Sequence, residues 1–166
     1  MLSETGKNYK IFTKKTNLEI SNNFFSLMKF KQPKVSIIMN CFNGEKFLSE
    51  SIKSIINQSY KNWELIFWDN NSSDNSKKIC KYFLDTRIKY FYSNKYNTLY
   101  KSRNLAIKKA RGKYITFLDV DDLWHARKIK EQVDFLRNKK IKICYSNLQL
   151  FYQKKNIKKK FIKEKK

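Results

Sequence analysis

The chain has 166 residues, 41% hydrophobic and 16% aromatic, enough for one globular domain with a single sizeable core and too few for two. Lys and Arg number 37 against 14 Asp and Glu, a formal net charge of +23, but Arg is confined to Arg87, Arg103, Arg111, Arg127 and Arg137, so the excess reads first as the Lys-rich bias of an AT-rich coding sequence and only second as attraction to an anionic membrane surface. No apolar run approaches the ~20 residues of a membrane span, the N-terminus lacks the apolar core of a secretory signal, and Cys41, Cys80 and Cys144 show no CxxC spacing, which argues against a disulfide framework or a zinc site; a cytoplasmic location is expected.

Residues 1–32 form a polar N-terminal extension interrupted by Phe24-Phe25-Ser26-Leu27-Met28-Lys29-Phe30. That cluster suits one amphipathic turn, on the body or on a membrane interface; packing on the body or plain disorder is the expectation. The domain is expected over residues 33–152, from the sole proline, Pro33, onward. Val35-Ser36-Ile37-Ile38-Met39 reads as a buried strand. Gly44 then punctuates the chain, and Phe47, Leu48, Ile52, Ile55 and Ile56 recur at helical spacing up to Gln58. A second strand, Glu64 to Trp68, leads into the polar turn Asp69 to Asp74 and a helix carrying Ile79, Cys80 and Phe83, with Asp74 a candidate N-cap. Arg87 to Tyr92 is a third strand. Thr98 to Arg111 is a helix closed by Gly112, a good left-handed C-cap residue. Tyr114 to Leu118 is the fourth strand, followed by a helix with Ile129, Val133 and Leu136 on one face. Ile141 to Tyr145 reads as a fifth strand, paired with Leu148 to Tyr152, and residues 153–166 are a Lys-rich solvated tail.

Strands alternating with helices at this spacing predict an α/β fold, a mainly parallel sheet with helices on both faces. Ligands of such sheets bind at the carboxyl ends of strands. Asn40 to Asn43, Asp69 to Asp74 and Asp119 to Asp122 all fall at such ends. The last is the most informative, because Asp119, Asp121 and Asp122 repel one another and lose water at the end of a buried run unless a cation sits among them. If strand geometry persists, Asp119 and Asp121 point the same way and make a two-oxygen claw for a hard divalent cation, Mg2+ or Mn2+, which in turn holds a diphosphate.

Four segments, in order, resemble the N-terminal, nucleotide-sugar-binding half of family 2 glycosyltransferases. They are Val35 through Leu48; Ser54-Ile55-Ile56-Asn57-Gln58-Ser59-Tyr60; Leu65 through Asp74; and Ser102-Arg103-Asn104 leading through Ala110-Arg111-Gly112 to Phe117-Leu118-Asp119-Val120-Asp121-Asp122. The resemblance implies the Rossmann-like GT-A fold, incomplete at the C-terminus. By position it implies that the Phe42 ring lies against the nucleobase. Asp69 then helps hold the nucleoside. Asn70 stands where the family often has an Asp that accepts a hydrogen bond from the base; an amide oxygen still accepts, without charge. In the Asp-x-Asp match, Asp119 approaches the ribose side and Asp121 coordinates the metal. Arg103 braces the acidic loops or reaches the nucleotide. His125, the sole histidine, is expected to cap or to lie on the surface.

The implied activity is metal-dependent, inverting sugar transfer from a nucleotide-diphosphate sugar to a glycan or lipid-linked acceptor in cell-envelope polysaccharide synthesis, peripheral to the inner face of the membrane. In the family the general base comes after the Asp-x-Asp motif, on the acceptor-binding half; here Glu164 is the sole acidic residue beyond Asp134. The expectation is a truncated product, with a subunit completed by another chain, or a divergent enzyme using Asp122 or Asp134 as base, as the alternatives. Uncovered apolar sheet surface follows from the missing half. Two rival classes remain. A nucleic-acid-binding protein would need exposed stacking aromatics, whereas Tyr90, Tyr92 and Tyr114 lie in runs that read as buried, so no nucleic-acid partner is expected. A nucleotidyltransferase would need a Gly-rich or basic phosphate loop, and Asn40-Cys41-Phe42-Asn43-Gly44 is not one.

Overall fold

The computed structural model of the chain describes residues 35–137, 140 and 142–147; the N-terminal extension, Leu148 to Tyr152 and the Lys-rich tail lie outside them. Strand β1 (Val35–Cys41) is followed by helix α1 (Glu45–Ile56), β2 (Trp63–Asp69), α2 (Ser76–Tyr82), β3 (Ile88–Tyr92), α3 (Leu99–Ile107), β4 (Tyr114–Phe117) and α4 (Lys128–Leu136). Every strand pairing is parallel, in the order β3-β2-β1-β4. The chain therefore builds outward from β1 through β2 to β3, then crosses back and lays β4 on the other side of β1.

That reversal dictates the layers. Right-handed crossovers put α1 and α2 on one face, and the return connection must put α3 on the other. The first face carries Ile37, Met39, Leu65 and Phe67 against Leu48, Ile52 and Ile55 of α1, Cys80 of α2, and Ile129 and Val133 of α4. Each such aliphatic side chain contributes about 1.5–3 kcal/mol on full burial. The second face carries Ile38, Ile66 and Trp68 against Ala106 of α3. A single short helix cannot span this face, so at β4 it stays bare: Ile115 and Phe117 are each 45% exposed.

The sequence reading and the structure part at four places. Gly112 has no positive φ and is not a left-handed cap. What it supplies is close approach: a Cβ there would stand 2.5 Å from the Ser36 backbone nitrogen. Its own N–H donates to Ser36 Oγ at 2.8 Å, which donates to buried Glu64 Oε1 at 2.7 Å, which also accepts from Arg111 N at 2.7 Å. Second, residues 142–147 are not a strand. Ile143 and Tyr145 are exposed, and this segment flanks a cavity of about 450 Å³ between the β4 edge and α4 without joining the ladder. Third, the strand does not persist to the aspartates, because Asp122 N donates to Asp119 O at 3.1 Å and closes a turn. Fourth, Tyr92 is half exposed rather than buried, its hydroxyl donating to Asn71 Oδ1 at 2.6 Å.

Candidate functional site

In an open parallel sheet the ligand crevice opens where the strand order reverses, at the carboxyl ends of the two strands on either side of the switch. Here those strands are β1 and β4, so the crevice lies between the Phe42–Gly44 turn and Asp119–Asp122. The two are in contact: a methyl on Gly44 would lie 3.1 Å from Val120 Cγ2 and 2.9 Å from Cys41 Sγ. The ladder is prolonged beyond the strand ends by Asn70 N to Cys41 O, Ser93 N to Asp69 O, and Leu118 N to Ile38 O. The loops after all four strands thus form one continuous floor.

Phe42 is 50% exposed, and its ring meets Tyr96 edge to face with centroids 4.7 Å apart. A bare aromatic face at a strand tip is what a nucleobase needs for stacking. Asp69 is 1% exposed and engaged within the protein: Oδ1 accepts from Ser72 N at 2.8 Å, and Oδ2 accepts from Tyr90 Oη at 2.6 Å. This turn puts Asn71 at a φ of 70°, which asparagine tolerates. Burial, with the Asp69 carboxylate accepting its proton, pushes the Tyr90 hydroxyl up and keeps it a donor. Asn70 is 5% exposed, and its Oδ1 accepts from both Asn97 N (3.1 Å) and Ser102 Oγ (2.8 Å) while Nδ2 donates to Asn97 O (2.7 Å). Both lone pairs of that oxygen are spent, so Asn70 can offer a base only its second amide hydrogen. Within the fold it fastens the tip of β2 to the start of α3.

On the acidic side, Arg103 Nη2 donates to Asp119 Oδ1 at 2.6 Å, and the guanidinium lies 5.6 Å from the centre of the Phe117 ring. The pair ties Arg103 to the acidic turn. Asp121 and Asp122 are exposed. Burial first, then the charges of Asp121 and Asp119, push the Asp122 carboxyl up. Among the described residues no three metal-ligating side chains converge. The carboxylates fit a hard cation, which Asp121 would hold and whose charge would relieve the crowding of Asp119, Asp121 and Asp122.

The N-termini of α1 and α2 face each other beside the crevice. Glu45 N donates to Asp74 Oδ2 at 2.8 Å, Gly44 N to Ser76 Oγ at 3.0 Å, and Asn75 N to Glu45 Oε2 at 2.8 Å, so α1 and α2 cap each other. Asp74 Oδ1 also accepts from Ser76 N, the capping role read from the sequence. Those backbone N–H groups are satisfied within the protein.

His125 is exposed, its Nδ1 accepting from Arg127 N at 3.4 Å. Asp134 pairs with Arg137 near the end of α4, where Leu136 O accepts from the hydroxyl of Tyr114, the first residue of β4. It stands at the amino end of the sheet, away from the crevice, which removes it as a base. Cys41 and Cys80 are buried, their thiols pushed up by burial, Cys80 to about 12, so both are packing residues. Sequence reading missed the polar stripe Ser51, Ser54 and Gln58 of α1 and its following turn. Its signal was there: Ser51 and Gln58 interrupt the apolar face of Leu48, Ile52 and Ile55, and both are fully buried.

Comparison with known proteins agrees with this geometry. The chain is 40% identical over 116 residues to the Escherichia coli UDP-Glc:alpha-D-GlcNAc-diphosphoundecaprenol beta-1,3-glucosyltransferase WfgD, covering 70% of this chain and 46% of that protein. It thus spans about half the length of this curated relative. Among solved structures, S. aureus TarS 1-349 in complex with UDP superposes with a TM-score of 0.60 at 28% identity, over 63% of this chain and 32% of that one. The mannosyltransferase PcManGT from Pyrobaculum calidifontis in complex with GDP-Man and Mn2+ shares the fold, with a TM-score of 0.59 at 20% identity, over 73% of this chain and 39% of that one. The fold is GT-A, and with residues 36–164 matching the family described as Glycosyl transferase family 2, the chain belongs to that family.

Proposed function

We propose that the chain binds the nucleotide-diphosphate sugar of a glycosyltransferase acting on a glycan or lipid-linked acceptor in cell-envelope polysaccharide synthesis. The observation that carries this reading is the meeting of Phe42, the Asp69 turn and the Asp119–Asp122 turn on one floor at the β1/β4 switch point. The relatives support the substrate class: WfgD is by name a UDP-glucose enzyme, and TarS has been solved with UDP and with UDP-GlcNAc.

In this reading the base stacks on Phe42, and Asp69 and Asn70 act indirectly, by fixing the loops that shape the slot. Arg103 holds Asp119 toward the ribose side. Asp121 holds a Mg2+ or Mn2+ ion, which as a Lewis acid would stabilise the charge that builds on the diphosphate as the anomeric bond breaks. The acceptor hydroxyl needs a carboxylate base; within the described crevice Asp122 is the candidate, since Asp119 is paired with Arg103 and Asp121 is assigned to the cation.

Calorimetric titration with UDP-glucose in Mn2+ tests the reading. Binding is expected, and Asp121→Asn should weaken it at least tenfold. No heat from a protein that remains folded would remove the donor site, and sugar transfer to an added acceptor would show that the chain carries its own base.

A further inference from the structure

Helix α1 carries a feature that the donor site does not use. From Ser51 to Ser59, polar groups on α1 and the turn after it hold the acidic loop on both sides of Asp121, at Asp119 and from Trp124 to Ile129. Ser51 Oγ donates to Asp119 O (3.3 Å), and Ser54 Oγ accepts from Trp124 N (3.2 Å). Gln58 Nε2 donates to His125 O (2.9 Å) and to Ser54 O (3.1 Å), Gln58 Oε1 accepts from Ile129 N (3.1 Å), and Ser59 N donates to Ala126 O (2.8 Å).

Gln58 is the centre of this clasp and is fully buried. Its amide supplies what two helix ends lack. Helix α4 has no side-chain cap of its own at Arg127, and Gln58 Oε1 satisfies one of its first N–H groups; the last turn of α1 has a spare carbonyl at Ser54, which Nε2 satisfies. Leu or Ala there would leave a buried donor and a buried carbonyl unpaired. The far end of α1 is tied through Glu45 to the loop that carries Asp69. One rigid helix thus sets the distance between the two sides of the crevice.

We infer that Gln58 is a positioning residue: through the 118–129 loop it sets where the Asp119 and Asp121 oxygens stand, and hence the affinity for a divalent cation and its nucleotide. The metal arm of this inference rests on the donor-site reading, while the loop arm does not. Groups that orient metal ligands from behind typically contribute 10–100-fold to metal affinity.

The full chain, Gln58→Leu, Gln58→Glu, which keeps the acceptor for Ile129 N, and the control Ile52→Val on the core side of α1 are compared by amide hydrogen exchange and by titration with MnCl2 and UDP. Faster exchange over 119–129 in Gln58→Leu than in the control, with Mn2+·UDP affinity about tenfold lower and partial recovery in Gln58→Glu, is the expected result. Exchange in that loop no faster than in the control, or affinity within twofold of the parent, overturns the inference. If the parent itself binds no Mn2+·UDP, the donor-site reading fails and the exchange comparison alone decides whether Gln58 positions the loop.

Discussion

At the residue scale, the crowding of Asp119, Asp121 and Asp122 puts electrostatic strain where a ligand would relieve it. Because burial and its two neighbours raise the Asp122 carboxyl, the fold disfavours its charged form. The sign follows: native stability falls as pH rises from the unfolded value of ~3.9 through the raised folded value. Asp122→Asn should therefore raise the melting temperature at pH 7 and leave it unchanged near pH 3.5. Thermal melts at the two pH values check this, and Mn2+ should stabilise the parent more than Asp121→Asn. The Arg103–Asp119 pair, half exposed, contributes at most about 1 kcal/mol to stability. Its importance lies in position, since it offsets the charge of one carboxylate of the three.

At the scale of elements, the reciprocal capping of α1 and α2 makes each helix depend on the other. Hydrogen bonds from Ser76 and from Glu45 N outweigh the burial that would raise the Asp74 carboxyl, and hold it below the usual range. Its contribution is complete above the unfolded value of ~3.9 and is lost as pH falls through the depressed folded value. Asp74→Ala should cost about 1 kcal/mol by denaturant unfolding at pH 7, a difference that closes as the pH falls and Asp74 takes up its proton in the folded state. Gly112→Ala should destabilise by about 1–3 kcal/mol through overpacking against Ser36, measured the same way.

The strands and helices up to Leu136 were legible because each buries one face and so writes its period into the sequence. Ile141 to Tyr145 carries strand-like residues, yet a strand exists only where a neighbour supplies the ladder. Likewise Gly112 and the Asp119 turn turned on a close approach and a local hydrogen bond, which periodicity does not encode. Phe42 and the acidic cluster were legible as chemistry at strand ends. That Asp69 and Asn70 spend their hydrogen bonds inside the protein depended on Tyr90, Asn97 and Ser102, distant in sequence and meeting only in the fold.

At the scale of the whole molecule, the dominant feature is the bare flank of β4. Ile115 and Phe117 show nearly half their surface on this strand. Exposed apolar side chains side by side favour association. Ile115→Lys should lower the weight-average mass at high protein concentration in sedimentation velocity while leaving Mn2+·UDP binding intact, because the substitution lies on β4 itself and not at its carboxyl tip. Among the described residues no helix is long and apolar enough to cross a membrane.

The Asn43-Gly44 step has a consequence for the chemical lifetime of the chain. In a flexible peptide this dipeptide cyclises to a succinimide and deamidates, because the glycine nitrogen can swing onto the asparagine side chain. Here the Gly44 nitrogen is committed to Ser76 Oγ, and Asn43 Oδ1 accepts from Ser73 N at 2.9 Å, with the backbone held at a φ of 51°. Folded protein should therefore keep its amide during storage while unfolded chain deamidates at this site, so mass spectrometry of the peptide from aged samples would read out how long the chain has stayed folded.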